Sequence, residues 1–175
     1  SKMKNKIRRG AKEYDILLCS RQYIVENAYS VYVDAFKRYK TFEKILNINE
    51  FKNAILHLPE HTEFWGAFNK IDAQLVGFSE NLLLDNACFY STMWIVPEAL
   101  TKKVAYILIH EMTNHYLNKN KCLYVSDGCR NLSHETNIHE MLENTFGFRK
   151  AYSKLKVVYS PLLWRFVQLA YPFRF

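Results

Sequence analysis

The chain lacks the features that would assign it quickly to several large classes. Its four cysteines, Cys19, Cys88, Cys122 and Cys129, include no C-x-x-C pair, so neither a disulfide scaffold nor a thiol redox motif is indicated and reduced thiols are expected. No apolar run reaches the ~18 to 20 residues that a membrane-spanning helix requires. No secretory leader, internal repeat or low-complexity linker is apparent, which favours one cytoplasmic domain. At 175 residues with 49% hydrophobic and 15% aromatic content, the chain can bury a core unaided and is not disordered.

Charge is less informative than its total suggests. Of the net +7, six positives (Lys2, Lys4, Lys6, Arg8, Arg9 and Lys12) precede the first acid, Glu13. Residues 1–12 therefore read as a basic N-terminal arm, either solvated or touching an anionic surface. The remainder shows neither a basic stripe nor an aromatic recognition motif, so nucleic acid is not the expected partner.

Periodicity organises the rest. A short strand over 14–18 precedes a helix over 21–39, where Ile24, Ala28, Val31, Ala35 and Tyr39 make one buried face. Asn49 reads as the cap of a second helix, with Phe51, Ile55 and Leu58 inward and Pro59 closing it. Strands over 63–69, 74–84 and 87–96, joined by the turns 70–73 and 85–86, form an antiparallel meander. A helix over 101–118, a strand over 121–126, a turn at Asp127-Gly128 and a helix closed by Gly147 follow, with a further strand over 151–159. Strand, helix, strand implies a parallel pair, so the fold is α/β with a mixed sheet. Pro161 opens an apolar helix with Leu163, Phe166, Val167 and Ala170 on one face. Residues 161–175 are expected to pack on the domain, on a partner or on a membrane surface.

Two strings, His110 to His115 and His134 to His139, look like a zinc-protease signature. Their histidines are five apart, about 140° around a helix, instead of on one face, so no metal is expected and they read as surface or cap residues. Cys129 near His134 or His139 could suggest a thiol and its base, but no third orienting group is evident and a buried thiol is the simpler reading. At Val96-Pro97-Glu98 a strand ends directly before a helix start, where free amides and the helix dipole suit an anion. Lys102 and Lys103 add charge there; an ordinary connection with a solvated lysine pair is the equal alternative.

The order of elements, Val96-Pro97-Glu98 and Gly147-Phe148 together resemble the GNAT superfamily of acyl-CoA-dependent N-acyltransferases, over roughly residues 64–152. The resemblance implies residues 13–160 as a GNAT-like domain: an antiparallel meander followed by strand, helix, strand, helix and strand. It implies acetyl-CoA or another acyl-CoA as donor and an amine as acceptor. The amides of Trp94, Ile95 and Val96 would hold the pantetheine arm, and those of Thr101, Lys102, Lys103, Val104 and Ala105 the phosphates. Leu100 and Lys103 stand where the family has Arg or Gln and glycine, so the loop is degenerate. Glu143 stands where many members carry a tyrosine acid, and would need burial or a like charge to act as one. Asp127 lies near the expected splay of the strands, as a base, a substrate ligand or merely a turn residue. Residues 126–152 are also loosely similar to peptidoglycan aminoacyltransferase relatives of bacterial envelope metabolism. The alternative function is a non-catalytic GNAT-like binding module associated with cell-envelope or polysaccharide metabolism; under either function the expected location is cytoplasmic or peripheral at the inner membrane face.

Overall fold

The computed structural model describes residues 2–128, 138–152 and 160–170. Its centre is a five-stranded sheet of β1 (Tyr14–Cys19), β2 (Thr62–Asn69), β3 (Leu75–Leu84), β4 (Ala87–Ile95) and β5 (Tyr124–Ser126), ordered as they occur in sequence. The first three pairings are antiparallel and the last, β4 with β5, is parallel. The meander follows from local chemistry: Asn69 and Asp72 side chains accept from the Ile71 and Gln74 amides in one turn, and Ala73 and Asp85 adopt positive φ, closing both connections tightly.

Alternation of side chains gives the sheet two apolar faces. One packs Phe64 and Phe78 against α2 (Arg21–Asn27), α3 (Tyr29–Phe36) and α4 (Ile48–Leu56). The other packs Trp65, Cys88 and Tyr90 against α6 (Val104–Asn114), whose Leu108, Ile109 and Met112 are fully buried. Each such side chain contributes ~1.5 to 3 kcal/mol of burial.

Several expected boundaries change. The helix over 21–39 is two helices, broken at Ala28, where the Asn27 amide side chain bonds to the Tyr23 carbonyl and competes with the backbone ladder. Asn47, not Asn49, caps α4; it accepts from the Asn49 and Glu50 amides while Glu50 reaches back to the Asn47 amide, a capping box. The strand over 121–126 shortens to β5 because Lys121 has φ 54 and the Cys122 amide bonds to the Tyr116 carbonyl. The 151–159 strand falls largely outside the described residues.

The N-terminal segment departs most from expectation. Residues 2–13 are not a solvated arm but helix α1 (Lys2–Glu13), which lays Ile7 and Ala11 on the core beside α6. Gly10 makes this approach possible: a Cβ there would lie 2.8 Å from both the Lys103 carbonyl and Ile107 Cγ2. Lys6 joins the contact through its ammonium, 3.0 Å from the Tyr106 hydroxyl. The final described helix, α8 (Pro161–Ala170), exposes Leu163, Phe166 and Leu169 instead of packing them on the domain.

Candidate active site

The site begins where two parallel strands part. β5 pairs with β4 only at Ala87, Cys88 and Phe89, opposite Tyr124, Val125 and Ser126, whereas β4 continues to Ile95. A register shift between Glu80 and Asn81 places Ser91 as an extra residue of β4, bending that strand at the point of parting. Among the described residues the outer edge of β4 from Tyr90 onward thus has no neighbouring strand.

Ladder phase decides which amides face that edge. The Val96 amide donates to the Val76 carbonyl at 3.0 Å, so it is committed to β3 and is not the free donor expected. Alternation sends the Trp94 amide the same way and leaves those of Met93 and Ile95 facing the open edge. Trp94 itself anchors the strand, its ring 4.9 Å from Tyr32 and 6.2 Å from Phe36.

Beyond β4 the expected single helix over 101–118 is divided. Pro97 starts the short helix α5 (Pro97–Thr101), and the Lys102 and Lys103 amides fold back on the Ala99 and Leu100 carbonyls. Thr101 is likewise engaged, its hydroxyl donating to the Glu98 carbonyl at 2.7 Å. Lys103 then adopts φ 71, a left-handed residue, and α6 begins at Val104. A glycine is the residue the resemblance places at 103, and the backbone keeps a glycine conformation without one. Val104 and Ala105, as the first two residues of α6, present amides that have no intrahelical acceptor. The Lys102 ammonium lies 4.0 Å from Glu13 at the end of α1.

Asp127 follows β5 at the parting of the strands. Its carboxylate Oδ2 lies 3.1 Å from His139 Nδ1, with the side chains 17% and 32% exposed. Burial pushes the Asp127 carboxyl up to about 6, and the imidazole opposes the shift only partly. His139 stands on α7 (Ile138–Met141), which runs on as a π-helical turn over Leu142–Phe146 and ends at Gly147, φ 73. It is therefore a partner of Asp127 and not the surface or cap residue expected. Tyr90, opposite on β4, bonds through its hydroxyl to Thr113 at 2.9 Å. Burial, and to a lesser degree the Asp127 charge, raise its phenol above the ordinary range.

Glu143, one turn after His139, is drawn away. Its carboxylate pairs with Lys150 at 3.3 Å and is one-third exposed. Neither the burial nor the like charge that an acid role requires is present, because its neighbour is a cation. His115 is not a surface residue either: it lies edge-on to Trp65, centroids 5.0 Å apart. Its neighbour Tyr116 is buried between two partners, accepting from Trp65 Nε1 at 2.8 Å and donating to Glu63 at 3.0 Å. Among the described residues no His, Cys, Asp and Glu group forms a metal cage. Cys129 and His134 lie outside the described residues. The sequence carries no signal that pairs His139 with Asp127, because only the fold brings the two together.

No known family profile matches the chain, and no curated protein matches it by sequence. Solved structures do match its fold. A ribosomal-protein-alanine N-acetyltransferase from Brucella melitensis biovar Abortus 2308 superposes with TM-score 0.61 at 14% identity, covering 83% of this chain and 99% of its own. An integron cassette protein from the mobile metagenome of V. cholerae gives 0.62 at 10%, covering 89% and 98%. The aminoglycoside N-acetyltransferase AAC(6')-Iy, solved in complex with CoA, gives 0.57 at 13%, covering 83% and 94%. At these identities the likeness shows the fold, and that fold is the N-acetyltransferase one.

Proposed function

We propose that the protein is an N-acyltransferase that uses an acyl-CoA donor and a primary amine acceptor. The observation that carries this reading is the parting of β4 from β5 on the strand that leads through α5 to the start of α6, with the half-buried Asp127–His139 pair at the opening. The residues fit such a donor in part. The Met93 and Ile95 amides suit an extended amide-bearing arm, and the Val104 and Ala105 amides with Lys102 and Lys103 suit a phosphate. The missing glycine is compensated in backbone conformation at Lys103. An acyl-CoA would supply a thioester carbonyl as electrophile.

The chain's own contribution is then positioning and proton transfer. The acceptor nitrogen forms a bond to the acyl carbon while the carbon–sulfur bond breaks. Asp127 takes the proton that the amine loses, directly or through one water, and His139 holds the carboxylate in place. The sulfur leaves as thiolate and is protonated by solvent; Glu143 is not needed for this step. The structural relatives named as N-acetyltransferases support the amine as acceptor class, and nothing favours the binding-module alternative.

Isothermal titration with acetyl-CoA and longer acyl-CoAs, followed by thiol release with a panel of amines, tests the reading. Micromolar binding together with amine-dependent thiol release is expected. No binding up to roughly millimolar donor, a range in which even weak specific sites register, would overturn it.

A further inference from the structure

The net charge of +7 conceals a polar distribution. Residues 144–175 carry six basic side chains (Arg149, Lys150, Lys154, Lys156, Arg165 and Arg174) and no acid, and residues 1–12 also carry six and none. Between them residues 13–143 hold twelve basic against seventeen acidic side chains. An acidic body is thus flanked by two basic segments. Lys6 of the first segment and Phe146 of the second both lie against Tyr106 of α6. The Lys6 ammonium sits 4.6 Å from the centre of the Tyr106 ring, and that ring stacks on Phe146 at 6.2 Å, just before Arg149 and Lys150.

Within the second basic segment, α8 is amphipathic. At 100° per residue Leu163, Phe166, Val167 and Leu169 share one arc, with Arg165 and Gln168 on the other side. The apolar arc is uncovered: Leu163, Phe166 and Leu169 are 55%, 62% and 71% exposed. Ten residues make a helix of about 15 Å, half the bilayer core, so α8 cannot span a membrane but can lie in its interface.

We propose that α8 docks the protein on an anionic lipid bilayer, with Leu163, Phe166 and Leu169 among the acyl chains and Arg165 and Arg149 toward the headgroups. Charge selects this occupant over two others. A nucleic acid would satisfy the basic segment but leave the apolar arc in water. A second copy would cover the arc but bring together two segments that each hold six basic side chains and no acid. An anionic bilayer satisfies both at once. The docking does not depend on the acyl-transfer reading.

Co-sedimentation of the full chain with phosphatidylcholine vesicles, with and without phosphatidylglycerol, tests the proposal. Retention is expected on phosphatidylglycerol-containing vesicles, weakened by added salt. The double variant Phe166→Asp/Leu169→Asp should weaken binding about tenfold or more. Phe42→Asp, the same kind of change at a position 88% exposed elsewhere, should leave it intact. Equal binding to neutral vesicles, or unchanged binding of the double variant, overturns the proposal. So does a double variant that only converts a dimer to a monomer in sedimentation velocity, which would give the face to a second copy. Retention on a DNA or RNA probe without retention on vesicles overturns it as well.

Discussion

Asp127 and His139 meet at 3.1 Å, Oδ2 to Nδ1, where β5 has ended and α7 begins. Burial dominates the carboxyl and raises it to about 6, while the imidazole pulls the other way. A carboxylate held this way is a stronger base than an exposed one yet remains ionised at neutral pH.

The first prediction concerns Asp127 itself. If it accepts the amine proton, turnover rises through about pH 6 as the carboxyl ionises. Asp127→Asn should lower kcat by roughly 10² to 10⁴. Stability moves oppositely. The folded state binds this proton more tightly than the unfolded chain, so the stabilising contribution is complete below about pH 4 and is lost as pH rises through about 6. The neutral asparagine avoids that loss and should unfold at higher urea above pH 6, by about 1 to 3 kcal/mol. A pH–rate profile and urea melts on both sides of pH 6 check the two halves independently.

His139→Gln separates positioning from packing. The imidazole lowers the Asp127 carboxyl, so its removal should move the rising limb of the pH–rate profile to higher pH as well as reduce kcat. A purely structural histidine would reduce the rate and leave the midpoint in place.

What could be read in the sequence was what local chemistry decides. The meander from β2 to β4 was legible because Asn69, Asp72 and Asp85 set its turns and side-chain alternation sets its faces. The closing role of Gly147 was legible for the same reason, since its φ of 73 suits glycine. Tertiary relations were not. The docking of α1 rests on two apolar residues, Ile7 and Ala11, and one close approach at Gly10, which a run of lysines and arginines hides. The commitment of the Val96 amide depends on ladder phase, which no composition reveals. The pairing of His139 with Asp127 joins residues twelve apart in sequence on different elements, and Glu143 was drawn toward Lys150 by a contact only the folded chain makes.

Lys103 carries the third prediction. Its left-handed backbone, φ 71, costs about 1 to 2 kcal/mol for a residue with a Cβ, against about 0.5 to 1 kcal/mol of extra chain entropy for glycine. Lys103→Gly should therefore stabilise the fold by up to about 1 kcal/mol in urea melts. If the ammonium also contacts a donor phosphate, the same variant should bind acyl-CoA more weakly despite being more stable. Tighter binding would instead show that the side chain obstructs the loop.

Gly10 gives the last prediction, because two opposing effects can be weighed there. Alanine is the better helix former by about 1 kcal/mol, and on propensity alone Gly10→Ala would strengthen α1. Packing opposes this: the new Cβ would stand 2.8 Å from the Lys103 carbonyl oxygen and 2.8 Å from Ile107 Cγ2. One contact is backbone at the left-handed residue that starts α6, and the other is a β-branched side chain 4% exposed, so neither can retreat without moving α6. Overpacking of this kind costs about 1 to 3 kcal/mol, which outweighs the propensity gain. Gly10→Ala should lower the unfolding midpoint, and hydrogen exchange should show loss of protection in α1 and the first turn of α6 together. A variant as stable as the parent, with α1 still protected, would mean that the two helices are not held at the separation described.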